Sequence, residues 1–402
     1  MSSPLSAFAQ YRILPSLASR PWLTSALAAR APFAMLPLGV MTSVTASTGS
    51  VALGGLATGI STACGAVAAP LLGRWADHTG QRTVLGTLIP LNTLALVLLL
   101  VLTLMKVDNL LLWAVCILLG VTTVPIGSFT RAHWASLTRN PRELSTAFSY
   151  ESTVDELTFV LGPALVGLTA SAFFPSAPVA LAAVLALIGG IPFALTSPTK
   201  PRPEKEPDTT TGDMVAIPPI PTVLLAVLPA MVVMLCIGIN FGSVQAATTE
   251  RAALLGAEGA GGLVYALMGV GSAATALAVV MVPDAVRLST RVLVGGLGMA
   301  LALVAAASAD GLLSTALLLL VVGLFLGPTM VTAFSIAERR SPRGGISVAM
   351  TTIQGSVTVG VSAGAMIGGA LAASAGPVGA FGFAIAAGVV IVLVGLVGRL
   401  RP

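Results

Sequence analysis

Residues 73–82, Gly-Arg-Trp-Ala-Asp-His-Thr-Gly-Gln-Arg, decide how this chain is read. The turn is short and charged. It separates two apolar runs, each long enough to cross a bilayer, which takes about 20 residues. Charge packed so tightly between membrane-length segments predicts a cytoplasmic hairpin of a polytopic membrane protein.

The same alternation continues in both directions. Of the 402 residues, 56% are hydrophobic and only 9% are charged. A soluble domain carries about 25% charge, so a water-facing surface cannot be built from this composition. The 43 glycines and 26 prolines also suit membrane helices, which tolerate both better than soluble helices do. The net charge of +5 does not point to nucleic acid, because the basic residues sit in short loops between apolar runs. Cys64, Cys116 and Cys236 are far apart and each lies in an apolar run, which argues against a disulfide framework. With only His78 and His133 and no paired Cys motif, no metal site and no cofactor are expected. No GxxxxGK[ST] motif occurs, so ATP is not expected to drive the protein.

Twelve spans are predicted, at roughly 22–43, 51–72, 83–105, 109–133, 145–169, 178–196, 221–246, 261–282, 291–308, 313–336, 345–372 and 378–398. With both termini cytoplasmic, all but four of the 20 Lys and Arg fall in cytoplasmic segments. Lys106 and Arg251 fall in outside loops, and Arg30 and Arg131 inside spans. An odd number of spans destroys this asymmetry, which follows the positive-inside rule. The stretch before Trp22 reads as a cytoplasmic tail rather than a cleaved signal, since Arg12 and Arg20 precede a long apolar segment.

Residues 197–220 form the one long polar stretch, rich in Pro, charge and Thr, and predict a cytoplasmic linker. It divides the chain into an N-terminal six-helix bundle, 1–196, and a C-terminal one, 221–402. The two echo each other. Residues 145–149 (Ser-Thr-Ala-Phe-Ser) parallel 347–351 (Ser-Val-Ala-Met-Thr), an offset of 202, and at that offset Gly162 meets Gly364 and Gly167 meets Gly369. Arg82 parallels Arg291, and Pro125 parallels Pro328. Together these matches suggest a parallel repeat.

The spacing G-x-x-x-D-x-x-G-x-R of the opening turn resembles the loop between the second and third helices of the major facilitator superfamily (MFS). The twelve spans, linker and repeat extend that resemblance over the whole chain. It implies an all-α membrane protein of the MFS fold, which moves a small-molecule substrate by alternating access. It also implies roles for the turn as a conformational gate. Asp77 would face the start of the eleventh span, where a helix N-terminus favours negative charge. Arg82 would pair across the loop, and Gly73 and Gly80 would allow close packing and a tight turn. The chain departs from the family pattern at His78 and Gln81, where basic residues are common. Gly162-Pro163-Ala164-Leu165-Val166-Gly167 resembles the tail of the antiporter motif of drug-efflux members, whose upstream glycines are replaced here by Ser149 and Thr158. That resemblance leans toward export.

Five ionisable residues fall inside predicted spans: Arg30, Arg131, Glu151, Asp155 and Glu156. Each costs roughly 2.5–3.5 kcal/mol at a helix centre, so they must pair, protonate or line a wet cavity. At a rise of about 1.5 Å per residue, Glu151 lies about 9 Å from the cytoplasmic entry and Asp155 about 15 Å. Arg131 falls near the depth of Glu151, and Arg30 near that of Asp155 and Glu156. The expected pairs are therefore Arg131–Glu151 and Arg30 with Asp155 or Glu156. Three carboxyls face two arginines, and the spare one, Asp155 or Glu156, is the expected proton carrier. Structural acids that only hold helices together are the competing reading. The second half offers neutral groups for a substrate cavity: Asn240, Gln245, Tyr265 and Gln354.

The expected function is secondary active transport of a small organic molecule, coupled to protons and directed outward across the plasma (inner) membrane. A monomer in the lipid bilayer suffices. Proton-linked uptake of a sugar or other metabolite is the alternative within transport. A non-transporting sensor or scaffold on the same frame is the alternative outside it, and no catalytic constellation suggests an enzyme.

Overall fold

The computed structural model describes residues 9–106, 109–199, 218–257, 260–283 and 285–400, all of them helix or short connection. Lys200, Arg202, Lys205 and most of the expected linker lie outside the described residues, as do Arg401 and the side chains of Glu156 and Pro163.

After turns at Ala9–Ile13 and Leu14–Leu17, the first half of the sequence forms α1 (Arg20–Thr48), α2 (Val51–Thr79), α3 (Gln81–Met105), α4 (Asn109–Val121), α5 (Ile126–Leu137), α6 (Pro141–Ala172) and α7 (Ala177–Thr196). The second half forms α8 (Ile220–Leu254), α9 (Gly261–Ala278), α10 (Leu288–Ala307), α11 (Leu312–Arg340) and α12 (Ile346–Leu400). Helix ends follow local chemistry. Ser19 caps α1, accepting from the Trp22 N–H, with Pro21 in the first turn. Asn140 caps α6 through the Glu143 N–H at 2.9 Å, while Glu143 accepts from the Arg139 N–H.

Ten helices among the described residues are long and apolar enough to cross a membrane. α6, which carries Arg142, Glu143, Glu151, Asp155 and Glu156, is not among them; α4 and α5 count together as Leu110–Leu137, and the 55-residue α12 counts once. α12 bends at Gly376-Pro377, where Gly376 leaves helical geometry (φ 68°, ψ −171°). The predicted fourth span is also modified. It breaks at residues 122–125, where Pro125 lacks the N–H a helix needs, so α4 and α5 are separate helices. Large apolar side chains such as Val67, Leu110, Leu225 and Leu313 are more than two-thirds exposed, as lipid-facing surfaces require.

α1 packs on α2, α6 and α7, and α12 packs on α8 and α10. The α8–α12 seam is built on glycine. A Cβ at Gly238 would lie 2.9 Å from Gly360 Cα, and one at Gly364 2.9 Å from Ile239 Cα, so only hydrogen fits. The two halves meet at the end of the bundle that carries Asp77, where α2 packs on α12 and α6 on α9 and α11. One buried apolar cluster runs through both halves. Toward the opposite end, Met35, Val44, Leu99, Leu112 and Val179 form a separate cluster of the first half alone.

Candidate functional site

The break before Pro125 sets the geometry of the site. α5 restarts at Ile126 and brings Arg131 against α6, while α1 brings Arg30 from the other side. Arg30 Nη2 donates to Glu151 and, at 2.8 Å, to Thr130 Oγ1. Arg30 Nε lies 3.3 Å from Asp155 Oδ1. Arg131 Nη2 donates to Asp155 Oδ2 at 2.7 Å, and its Nη1 to the Gly127 carbonyl at 3.2 Å. Glu151 also accepts from Thr130 Oγ1 and, at 2.8 Å, from Trp134 Nε1.

One expected pair, Arg30 with Asp155, is present, and the other, Arg131 with Glu151, is not. Arg131 takes Asp155, not Glu151, and Arg30 bridges both carboxylates. The expected pairing assumed one continuous fourth span. The break at 122–125 suspends the helical rise for several residues, so the depth counted along that span no longer holds. The shared face of Glu151 and Asp155, four residues apart, allows either arginine to reach either acid.

The two acids differ in what surrounds them. Glu151 is 1% exposed and holds three donors, so its charge is fully satisfied. Trp134, one of those donors, is fixed by the edge of Trp22, with ring centroids 5.4 Å apart. Asp155 is 12% exposed and borders a cavity of about 20 Å³ that Arg30, Phe33, Thr158 and Gln354 also line. That volume accommodates a water molecule, and the lining is polar enough to hold one. Arg131 itself is fully buried, its guanidinium carbon 3.7 Å from the centroid of Phe334 on α11. A desolvated stack of this kind is worth about 2 kcal/mol.

Of the four neutral candidates, only Gln354 reaches this cavity. Asn240 is buried in α8 and donates to the Cys236 carbonyl of its own helix at 2.9 Å. Gln245 is exposed and Tyr265 half-buried, and neither lines the cavity. Gly162 packs against Ala34 where α6 crosses α1, and Gly167 is exposed with open space around it.

At the charged turn, Asp77 is buried and accepts from the Ser347 and Val348 N–H groups at 3.1 and 3.2 Å, the free donors at the start of α12. A Cβ on Gly73 would come within 2.9 Å of the Ser347 carbonyl carbon, so glycine permits this approach. Gly80 turns the chain between α2 and α3 with φ +86°, which favours glycine. Arg82 is exposed, and its backbone N–H donates to the Pro198 carbonyl at 3.1 Å. Its side chain makes no ion pair among the described residues. Gln81 donates to the Phe129 carbonyl at 2.9 Å, and Arg74 to the Pro218 carbonyl at 2.8 Å. Tyr11 donates to the Leu277 carbonyl at 2.7 Å, and burial pushes its hydroxyl up to about 12. The bonds of Asp77, Arg74 and Tyr11, with that of Thr153 Oγ1 to the Ala273 carbonyl, join the two halves and run from the Asp77 end toward mid-depth.

Arg251 stands elsewhere than expected. It lies in the last turn of α8 rather than in a loop, is buried, and donates to the Ala306 and Ala307 carbonyls and to Thr315 Oγ1. A cation there satisfies the free carbonyls that end α10.

A model of the Major Facilitator Superfamily matches residues 23–356. The chain belongs to that superfamily. No curated protein matches it. Among solved structures, this MFS chain is similar to a bacterial homologue of the iron transporter ferroportin in its outward-facing state, at 16% identity over 95% of this chain and 99% of that one, with a TM-score of 0.71. It is also similar to the human organic anion transporter MFSD10 (14%, 96% and 99%, TM-score 0.70) and to the MFS transporter FucP in its outward conformation (13%, 98% and 99%, TM-score 0.65). At these identities the likeness is one of fold. The chain is an integral membrane protein of a family of small-molecule transporters, and not an enzyme.

Proposed function

We propose that this MFS protein is a proton-coupled secondary transporter of a small organic molecule, in which Asp155 takes up and releases the proton. The observation that carries this reading is the contrast between two neighbouring acids. Glu151 is enclosed by three donors, whereas Asp155 shares two arginines and has one edge on a water-sized cavity. A carboxylate that can exchange its partners and reach water is suited to carry a proton. Gln354 on the same cavity is the candidate substrate contact from the second half.

In this reading the fold is two six-helix halves. α4 and α5 together make the fourth span, α6 the fifth, and the two parts of α12 on either side of Gly376 the last two. The halves, 1–196 and 221–402, rock about the site, joined by the linker 197–220, with both termini cytoplasmic. The Asp77 end is then the cytoplasmic gate, closed in this structure. Export is the direction we propose, on the resemblance of residues 162–167 to the antiporter motif.

Reconstitution in liposomes under an imposed pH gradient tests the proposal, with internal pH followed while lipophilic cations, antibiotics and sugars are added in turn. Substrate-dependent proton flux that disappears in Asp155→Asn is the expected result. Substrate flux indifferent to the gradient contradicts proton coupling. Flux that survives Asp155→Asn with its pH dependence intact excludes Asp155 as the carrier.

A further inference from the structure

Arg131 is the only described residue of the charge cluster with an aromatic ring of the other half stacked on it. Its guanidinium is engaged in two ways. In its plane it binds Asp155 and the Gly127 carbonyl. Against its face lies the ring of Phe334, which belongs to α11 and is fully buried. Phe334 in turn meets Phe148 of α6 edge-on, with centroids 6.3 Å apart. The contact crosses between the halves just inside the closed Asp77 end. It also joins equivalent positions of the repeat: Pro125 and Pro328 are 203 residues apart, and so are Arg131 and Phe334.

We propose that Phe334 is the positioning residue through which the charge state of Asp155 is conveyed to the second half and to closure of the Asp77 end. The inference rests on the reading of Asp155 as the proton carrier. While Asp155 is ionised, it holds the guanidinium flat against the ring, and a cation over that ring binds the halves together. Once Asp155 is neutral, Arg131 keeps one in-plane acceptor, the Gly127 carbonyl, and becomes a buried cation without its anion. The water-sized cavity beside Asp155 offers it solvation, and a move toward the cavity lifts it off Phe334. The halves then lose the stack, and the Asp77 end is free to open.

The other groups around Asp155 leave this role to Arg131. Arg30 from α1 faces Asp155 but is also fixed to Glu151 and Thr130, all within the first half. Tyr150 and Glu151 share α6 with Asp155 and interact electrostatically with Arg30. α12 presents the neutral Gln354. Glu156 is on α6 as well, with its side chain outside the described residues.

The test needs no substrate. Spin labels at Thr83→Cys and Arg340→Cys, both exposed and on opposite halves at the Asp77 end, report the gap between the halves in lipid nanodiscs. Cys64, Cys116 and Cys236 are first replaced by Ala. Electron–electron distance distributions are then compared for the parent, Asp155→Asn, Phe334→Leu and the double variant. The expected result is that Asp155→Asn shifts the open-to-closed ratio by about thirtyfold, the scale of one desolvated cation–ring contact. Phe334→Leu opens the gap to a similar degree, and adding Asp155→Asn to it changes nothing further. Phe334→Tyr, which keeps the ring face, should restore the parent response to Asp155→Asn. If Phe334→Leu does not fold, Phe334→Met supplies a ringless side chain of comparable length. Equal shifts from Asp155→Asn with and without the ring overturn the inference while leaving the proton-carrier reading standing. No shift from Asp155→Asn in the parent removes the proton-carrier reading and the inference with it.

Discussion

The α1–α6 seam of the first half and the α8–α12 seam of the second are filled in opposite ways. At the offset of 202 residues, Gly162 corresponds to Gly364, and each lets its helix approach a partner closely. At the same offset Glu151 and Asp155 correspond to Ile353 and Val357. One seam thus holds two carboxylates, Glu151 buried and Asp155 at a cavity edge, with two arginines, and the other buries aliphatic groups over a row of glycines. A dry glycine seam has one low-energy arrangement, set by backbone contact. A charged seam at the same depth depends on how its ions are partnered, and a single proton changes that. The difference argues that the second seam is a rigid element and the first a switch.

The largest expected effect comes from unbalancing the charged seam. Arg30→Leu leaves Glu151 without its cation and Asp155 with one, at a cost of about 3–5 kcal/mol in a buried site. A thermal-unfolding series in detergent should show it as the most damaging substitution of this group. A near-neutral Arg30→Leu breaks the comparison, because it makes the charges dispensable for the fold.

Next in size is Gly364→Leu, which presses a side chain into the Ile239 backbone and costs about 1–3 kcal/mol. It should lower stability while leaving the response to Asp155→Asn intact in the spin-label experiment. If it abolishes that response, the second seam is not a passive support.

Arg251 sharpens the contrast, since it is the buried charge of the second half among the described residues. Arg251→Met removes donors from the Ala306 and Ala307 carbonyls and should cost about 1–3 kcal/mol. Proton-driven flux per folded molecule should stay unchanged; a changed pH dependence would give the second half a titrating role of its own.

The smallest effect is expected at Tyr11, whose hydroxyl ties the N-terminal turn to Leu277. Tyr11→Phe should cost about 0.5–1.5 kcal/mol. The folded-state pKa is raised from 10.0 to about 12, so the folded protein retains the proton longer than the unfolded chain. The contribution is complete below about pH 10 and is lost as the pH rises through about 12. Stability of the wild type measured across that alkaline window should fall more steeply than that of Tyr11→Phe.

Much of the frame was legible because charge is rare in this chain. The turn at 73–82 and the five intramembrane ionisable residues stand out against apolar surroundings, and the structure brings Arg30, Arg131, Glu151 and Asp155 into one cluster. The partner exchange among them was not legible, because the break at 122–125 changes the depth of Arg131 and Pro125 alone does not say whether a helix bends or stops. Pro328, its counterpart, lies within the continuous α11. Arg251 was misplaced for a similar reason. Apolarity fades near Gln245, but α8 continues through a polar Thr-Thr-Glu-Arg segment to Leu254. The glycines of the second seam show their four-residue spacing in the sequence, at 238 and 242 and at 360, 364 and 368, without naming which helix they face. Phe334 carried no signal beyond its offset from Arg131.

The central claim is that Asp155, and not Glu151, exchanges a proton. Infrared difference spectra of the reconstituted protein, recorded on acidification, follow the carboxyl C=O stretch directly. A protonated-carboxyl band should appear on acidification, persist in Glu151→Gln and vanish in Asp155→Asn. A band that vanishes in Glu151→Gln and persists in Asp155→Asn would contradict the claim.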